Sequence, residues 1–260
     1  LRQGIYRLFI ELTNRKWSSL LLGRFARSAA SKRLIPSFAK VYHINQAEME
    51  KELNQYGSLH EFFTRRLKTD ARAIEAEPLA VVSPVDAVLE DIGPIEPTHE
   101  IYVKGKVYSI AEMLGGEEAA MRYAGGTYMV LYLSPSHYHR IHSPVSGKIS
   151  KQWTLGTRSY PVNRLGLKYG KDTLAKNFRT ITEMEHAHGR IVVVKVGAMF
   201  VNSIEAVHKG DTLEKGEEMA YFTFGSTVVL LFEKDTFVTT GKLKLPLPIK
   251  MGEKLGFLKP

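Results

Sequence analysis

Phe224-Gly225-Ser226-Thr227 joins a turn-rich stretch to the apolar run Val228-Val229-Leu230-Leu231-Phe232 near the C-terminal end. A Gly-Ser bond at such a turn-to-strand junction can be held strained, because glycine accepts backbone angles that other residues resist. A serine hydroxyl beside that bond can attack the preceding carbonyl once a base takes its proton, and the chain is then cut. Alone, a triplet of this kind is most often a plain turn. Its chemistry depends on a base and on the elements that carry it.

Histidine is the side chain suited to that task near neutral pH. Of the nine histidines, His137, His139 and His142 fall within six residues, after a strand-like run that ends at Leu133. In an extended segment His137 and His139 point to one side, while the turn at Ser143-Pro144 sets the direction of His142. Asp86 sits in Ser83-Pro84-Val85-Asp86-Ala87, a turn ahead of a strand. A second histidine pair, His186-Ala187-His188, could complete a zinc set with Asp86 and His142, although no HExxH motif is present. That reading is a zinc-dependent hydrolase on a hybrid β fold.

The elements that must position these residues change along the chain. Up to residue 75 the pattern is helical. Gln46 to Asn54 reads as a helix, and Ser58 with Glu61 reads as a capping box that opens a second helix through Leu67. After Pro78 short apolar runs alternate with Gly, Pro and Asn turns; 128–133, 191–196 and 228–232 read as strands. Helical patches remain at 109–114, 117–123 and 171–177. Ser83-Pro84-Val85-Asp86-Ala87-Val88-Leu89 is echoed by Ser143-Pro144-Val145-Ser146-Gly147-Lys148-Ile149. The segment 207–217 has the look of hairpins that recur in barrel-sandwich hybrid domains. The expected fold is α+β: a helical region over 1–75, then a mostly antiparallel β domain over 76–260 of barrel-sandwich-hybrid character, with short helices.

The absence of cysteine excludes disulfides and thiolate chemistry. The net charge of +9 is concentrated: residues 1–40 hold nine Lys and Arg against Glu11 alone, a net +8. Ile5, Leu8, Phe9 and Leu12 form one helical stripe, continued by Trp17, Leu20, Leu21 and Phe25. A basic helix with an aromatic apolar face suits an anionic membrane surface. No apolar run near the N-terminus approaches the roughly 20 residues that span a bilayer, and no signal-peptide pattern opens the chain. No nucleic-acid-binding module accompanies the charge. A non-enzymatic carrier of barrel-sandwich type would need a modifiable lysine at a hairpin tip, and no Met-Lys-Met or equivalent is found.

Four motifs recur in a fixed order: Ser83-Pro84-Val85-Asp86-Ala87, Tyr138-His139-Arg140-Ile141-His142-Ser143-Pro144, the stretch from Val196 to Ile204, and Lys215-Gly216-Glu217-Glu218-Met219 leading into Phe224-Gly225-Ser226-Thr227. In this order and spacing the set closely resembles phosphatidylserine decarboxylase proenzymes of the bacterial type. The resemblance runs from about residue 45 to the end, and the basic N-terminal region also fits. Phe224 stands where many members carry Leu.

The resemblance implies roles. Asp86 would orient His142, His142 would take the proton of Ser226, and Ser226 would attack the Gly225 carbonyl, following triad logic. The chain would be cut between Gly225 and Ser226 into a β chain, 1–225, and an α chain, 226–260, that begins with a covalent pyruvoyl group made from Ser226. The amine of phosphatidylserine would form a Schiff base with that pyruvoyl and lose CO2, and His139 would be the substrate-side acid and base. The implied partners are phosphatidylserine in an anionic membrane and, for the β chain, its own α chain; a homodimer is left open. The implied location is peripheral, on the cytoplasmic face of the cell membrane. A pyruvoyl decarboxylase of a soluble amino acid shares the chemistry but not the need for a basic amphipathic start.

Overall fold

The computed structural model describes residues 16–160, 162, 172–197, 204–223, 226–241 and 243–260. The stripe Ile5, Leu8, Phe9 and Leu12, the segment 198–203 and the pair Phe224-Gly225 lie outside the described residues.

The N-terminal layer is helical. α1 (Lys16–Arg27) leads through a 3-10 turn (Ala29–Leu34) into α2 (Ile35–Val41), with Pro36 in its first turn, where the missing N–H costs nothing. α3 (Leu59–Phe63) is capped as expected, the Ser58 hydroxyl accepting from Glu61 N–H at 3.2 Å. The reciprocal half of the box is absent, because the Glu61 carboxylate accepts from Gly57 N–H instead. The helix expected over 46–54 breaks into two 3-10 turns, Gln46–Glu48 and Leu53–Gln55. Between them Met49 bridges Leu67, and Glu50 N–H and Lys68 N–H bond to Arg66 and Glu48 carbonyls. Tertiary pairing thus overrides helix propensity. Ile35, Ala39, Ile44, Met49, Tyr56, Leu59 and Phe62 close a small core of their own.

The rest is antiparallel β. The first strands are β1 (Ala80–Val82), β2 (Ala87–Pro94), β3 (Glu100–Val103), β4 (Lys106–Ser109), β5 (Thr127–Leu133) and β6 (Arg140–His142). Next come β7 (Gly147–Leu155), β8 (Arg179–His186), β9 (Gly189–Gly197), β10 (Ile204–Ala206) and β11 (Thr212–Leu213). Last are β12 (Glu218–Phe222), β13 (Ser226–Phe232), β14 (Phe237–Thr239), β15 (Leu247–Ile249) and β16 (Lys254–Leu258). An eight-stranded sheet runs β11-β7-β8-β9-β13-β5-β2-β15; smaller sheets are β10-β12-β6, β1-β16-β14 and β3-β4. The large sheet is open, with β11 and β15 at its edges, rather than a closed barrel. Short helices at Ile110–Leu114, Glu117–Met121 and Thr173–Lys176 fall where the sequence patches predicted them.

The central strands are covered on both faces, which is why 228–232 reads as an unbroken apolar run and 191–196 as one interrupted only by Lys195. Val228, Leu230 and Phe232 share one core with Ile141, Ala220 and Phe222. Val229 and Leu231 share the other with Ile101, Met113 and Leu174.

The sequence echo is a structural repeat. Ser83 Oγ donates to Val85 O at 2.7 Å and Ser143 Oγ to Val145 O at 2.6 Å. The two turns exchange backbone bonds: Val82 N–H to Pro144 O at 3.0 Å and His142 N–H to Pro84 O at 2.8 Å. Each also holds a Gly-Glu pair, since Gly252 N–H donates to Ser83 O and Gly216 N–H to Ser143 O.

Lys195 on β9 is fully buried and donates to Thr182 Oγ1, and burial pushes its amine down to about 7. An unfolded lysine titrates near 10.4. Between those values the unfolded chain holds a proton that the folded chain has shed, so this residue makes stability rise with pH across that window. Lys195→Met should therefore stabilise the fold by on the order of a few kcal/mol near pH 7, with the gain shrinking toward about pH 10. Urea unfolding of both proteins at the two pH values checks the size and the trend.

Candidate active site

Ser226 is the first residue of β13, with Leu133 of β5 and Gly197 of β9 as its Cα partners. The pleat turns its side chain to the face of Val228 and Leu230, the face on which β6 and β12 pack. Ser226 is fully buried, and its hydroxyl has no hydrogen-bond partner among the described residues. A buried hydroxyl left unpaired costs roughly 1–3 kcal/mol. Phe224 and Gly225, the other side of the expected cut, lie outside the described residues.

The histidine loop leaves the same sheet end. From Leu133, opposite Ser226, residues 134–139 lead into β6. Ser134 N–H donates to His137 Nδ1 at 3.0 Å. His139 Nδ1 lies 2.9 Å from His137 O. A carbonyl only accepts, so Nδ1 carries the hydrogen and Nε2 keeps its lone pair. That Nε2 is buried and unpartnered among the described residues. Phe222 N–H donates to His139 O at 3.0 Å, so His139 is tied to the end of β12, four residues before Ser226. Its ring packs on Phe63, with centroids 4.0 Å apart. Burial, then the Arg65 charge, hold His139 well below the ordinary imidazole range.

His142 is buried with both ring nitrogens engaged. Nδ1 donates to Gly216 O at 2.8 Å, and Nε2 accepts from Tyr138 OH at 3.1 Å. Gly216 has φ +84°, and a Cβ there would meet the Ile74 side chain at 2.9 Å, so the turn that presents this carbonyl requires glycine. Burial lowers the pKa of His142, opposed by the Gly216 bond and by the charges of Glu218 and Asp86.

Asp86 is also buried. Oδ1 accepts from Arg72 Nε at 2.8 Å and from Met251 N–H at 2.9 Å, and Oδ2 accepts from Arg72 Nη2. Arg72 continues to Glu48 at 2.9 Å. Asp86 thus acts on His142 through its field and not through a hydrogen bond; Asp86 follows one Ser-Pro-Val turn, His142 precedes the other, and the pairing of the two turns brings them near each other. No hydrogen bond among the described residues joins His142 to Ser226. A cavity of about 390 Å³ is lined by Arg65, Arg72, Asp86, His137, Tyr138 and Lys250 among others, but not by His139, His142 or Ser226.

Sequence reasoning missed Arg65, Arg72 and Tyr138. Tyr138 lay inside a quoted motif, but nothing in a linear pattern pairs Arg72 with an aspartate fourteen residues on. The zinc reading gains nothing from the geometry. His186 Nδ1 accepts from His188 N–H at 3.2 Å, and no group of three His, Asp or Glu suited to a metal ion stands among the described residues.

The family model for phosphatidylserine decarboxylase matches residues 59–257. A phosphatidylserine decarboxylase proenzyme of Geobacillus kaustophilus (strain HTA426) is 60% identical over 257 residues, 99% of this chain and 97% of the relative. Proenzymes of the same description from Bacillus cereus (strain AH187) and Bacillus thuringiensis (strain Al Hakam) are 57% identical over 255 residues, 98% of this chain and 97% of each relative.

Because the Ser226 hydroxyl is buried without a partner among the described residues, Ser226→Ala should not destabilise the uncut chain and should gain about 1 kcal/mol. Denaturant midpoints must be compared between uncut proteins. A loss above 1 kcal/mol would mean that the hydroxyl has a bonded partner in solution.

Proposed function

The chain belongs to the phosphatidylserine decarboxylase family, and from that premise we propose that it cuts itself between Gly225 and Ser226 and then converts phosphatidylserine to phosphatidylethanolamine and CO2. The observation that carries this reading is the buried, unpaired Ser226 hydroxyl at the head of β13, beside a loop whose His139 Nε2 is equally buried and unpaired.

In the cutting step Ser226 Oγ gives up its proton and adds to the Gly225 carbonyl. The C–N bond breaks, leaving an ester and a free amine on residue 226. Loss of the Ser226 Cα proton expels the Gly225 carboxylate and leaves dehydroalanine; a proton shift from its nitrogen to Cβ makes an imine, and water replaces that nitrogen, releasing ammonia and leaving a ketone. His142 is the proposed base. It must exchange its Tyr138 bond for Ser226, and the field of Asp86 favours the imidazolium that forms.

Ser226 fits the pyruvoyl group that this makes: the residue heads a buried strand and faces a core that excludes water. Such a group supplies a ketone that captures the substrate amine and an electron sink for the pair left when CO2 departs. His139 moves the protons. Neutral at Nε2, it takes the proton that the substrate ammonium must shed, and it returns one to the substrate Cα.

The substrate brings the membrane with it. Each methylene pulled out of the bilayer costs roughly 0.8 kcal/mol, so a diacyl lipid is handled at the interface. Of the nine large apolar side chains exposed among the described residues, Leu21, Phe25, Leu34, Val41 and Tyr42 lie in one helical stretch, interleaved with exposed Arg24, Arg27, Lys32, Arg33 and Lys40. No helix among the described residues is long and apolar enough to cross a membrane. The proposed docking is peripheral, on the cytoplasmic face.

Ser226→Ala should remain one uncut, inactive chain. His142→Ala and Asp86→Asn should block cutting, whereas His139→Ala should still be cut yet release no CO2. Intact mass and CO2 release, scored separately, decide this; identical behaviour of the two histidine variants would remove the division of labour. Vesicle sedimentation tests docking. Binding should rise with anionic lipid and weaken with salt by screening, at roughly 1 kcal/mol per basic residue. It should fall for Leu21→Ser with Phe25→Ser and Val41→Ser. Point variants are needed because truncation at residue 40 would delete Ile35 and Ala39 from the helical core.

A further inference from the structure

Three consecutive residues at the exit of α3 grip the histidine loop. The Phe63 ring packs on His139. Thr64 O accepts from Arg140 Nε at 3.0 Å. Arg65 Nη2 donates to Ser136 O at 2.9 Å and to His137 O at 3.1 Å. Arg65 is 4% exposed, has no carboxylate within ion-pair reach among the described residues, and lies over the Phe62 ring. A buried guanidinium without a counter-ion is costly, so its placement on two loop carbonyls demands a reason.

The reason lies in the carbonyl it shares. His137 O has two lone pairs and takes two hydrogens, one from Arg65 and one from His139 Nδ1. Arg65 therefore fixes the acceptor that fixes the ring. We propose that Arg65 is a positioning residue for decarboxylation: by pinning the Ser136 and His137 carbonyls it holds His139 in the tautomer that leaves Nε2 bare toward the substrate. The proposal rests on the role given to His139 above. The charged and titratable groups that bear on His139 are Arg65 and His137, and both oppose its protonation.

The test uses the full chain with Arg65→Gln and Arg65→Lys. Mass spectrometry gives the fraction cut, CO2 release per cut chain gives kcat across pH, and nitrogen NMR of labelled histidine gives the tautomer of His139. Wild type should show neutral His139 with its hydrogen on Nδ1. Arg65→Gln should mix the tautomers, lower kcat about tenfold, as losing one charge-assisted bond does, and move the acid limb of the profile to higher pH because an opposing charge is gone. Arg65→Lys keeps the charge, so its limb should stay in place while kcat recovers in part. Two results overturn the proposal: a cut Arg65→Gln chain with unchanged kcat and limb, or wild-type His139 carrying its hydrogen on Nε2. If Arg65→Gln does not fold, Arg65→Lys and the wild-type tautomer still decide. If wild type releases no CO2 from phosphatidylserine, the proposed function fails, while the tautomer and its dependence on Arg65 are read independently.

Discussion

The exchange of backbone bonds between two Ser-Pro-Val turns holds this molecule together at its functional centre. Val82 N–H reaches Pro144 O, and His142 N–H reaches Pro84 O. Each serine hydroxyl closes its own turn, and each turn is backed by a Gly-Glu pair from elsewhere in the chain. The pairing is nearly two-fold, and its two copies have diverged in chemistry. Asp86 accepts from Met251 N–H at the place where Ser146 accepts from Lys215 N–H. In one copy the side chain still caps a turn; in the other it is an anion held by Arg72 within the field of His142. A break in either cross-bond would leave a buried N–H unpaired and let the two loops drift, separating Asp86 from His142.

That centre sits on a sheet that tolerates polar groups poorly. β5, β9 and β13 are covered on both faces, so a polar side chain placed there is either at a sheet end or in difficulty. Ser226 stands at the end of its strand and Lys195 within one; the first is a buried hydroxyl with no partner among the described residues, and the second an amine that burial pushes down to about 7. The register Leu133–Ser226–Gly197 sets the end of β5, the start of β13 and the end of β9 side by side, and the histidine loop leaves from the first of them. A shift of one residue would turn Ser226 into the opposite core, away from β6.

Legibility in the sequence followed the range of the interactions. The strand runs, the Ser58 cap, the helical patch at 109–114 and the Ser-Pro-Val echo are local patterns, and each has a structural counterpart. The helix expected over 46–54 fails because a bridge from Met49 to Leu67 claims its middle, a contact that periodicity cannot see. The mostly antiparallel β domain with short helices is as expected; its barrel-sandwich-hybrid character is realised as an open eight-stranded sheet with smaller sheets beside it and no closed barrel, because closure depends on which edges meet. At the site, the residue types were legible but their bonds were not. His142 spends its nitrogens on Tyr138 and Gly216, and Asp86 its oxygens on Arg72 and Met251. No spacing rule yields those partners.

The helical layer joins two demands that a lipid enzyme must meet together. Its outer side, from Leu21 to Tyr42, carries exposed apolar and basic side chains, while its inner side ends in Phe63, Thr64 and Arg65 against the histidine loop. The Ser31 hydroxyl, buried between the two, accepts from Leu59 N–H at 2.9 Å and so fastens the outer helices to the start of α3. The chain of contacts from the exposed helices to His139 is therefore short and packed: α1 and α2, Ser31, α3, Phe63. The two parts of the chain, one read from charge and one from motif, thus meet at a single five-residue helix.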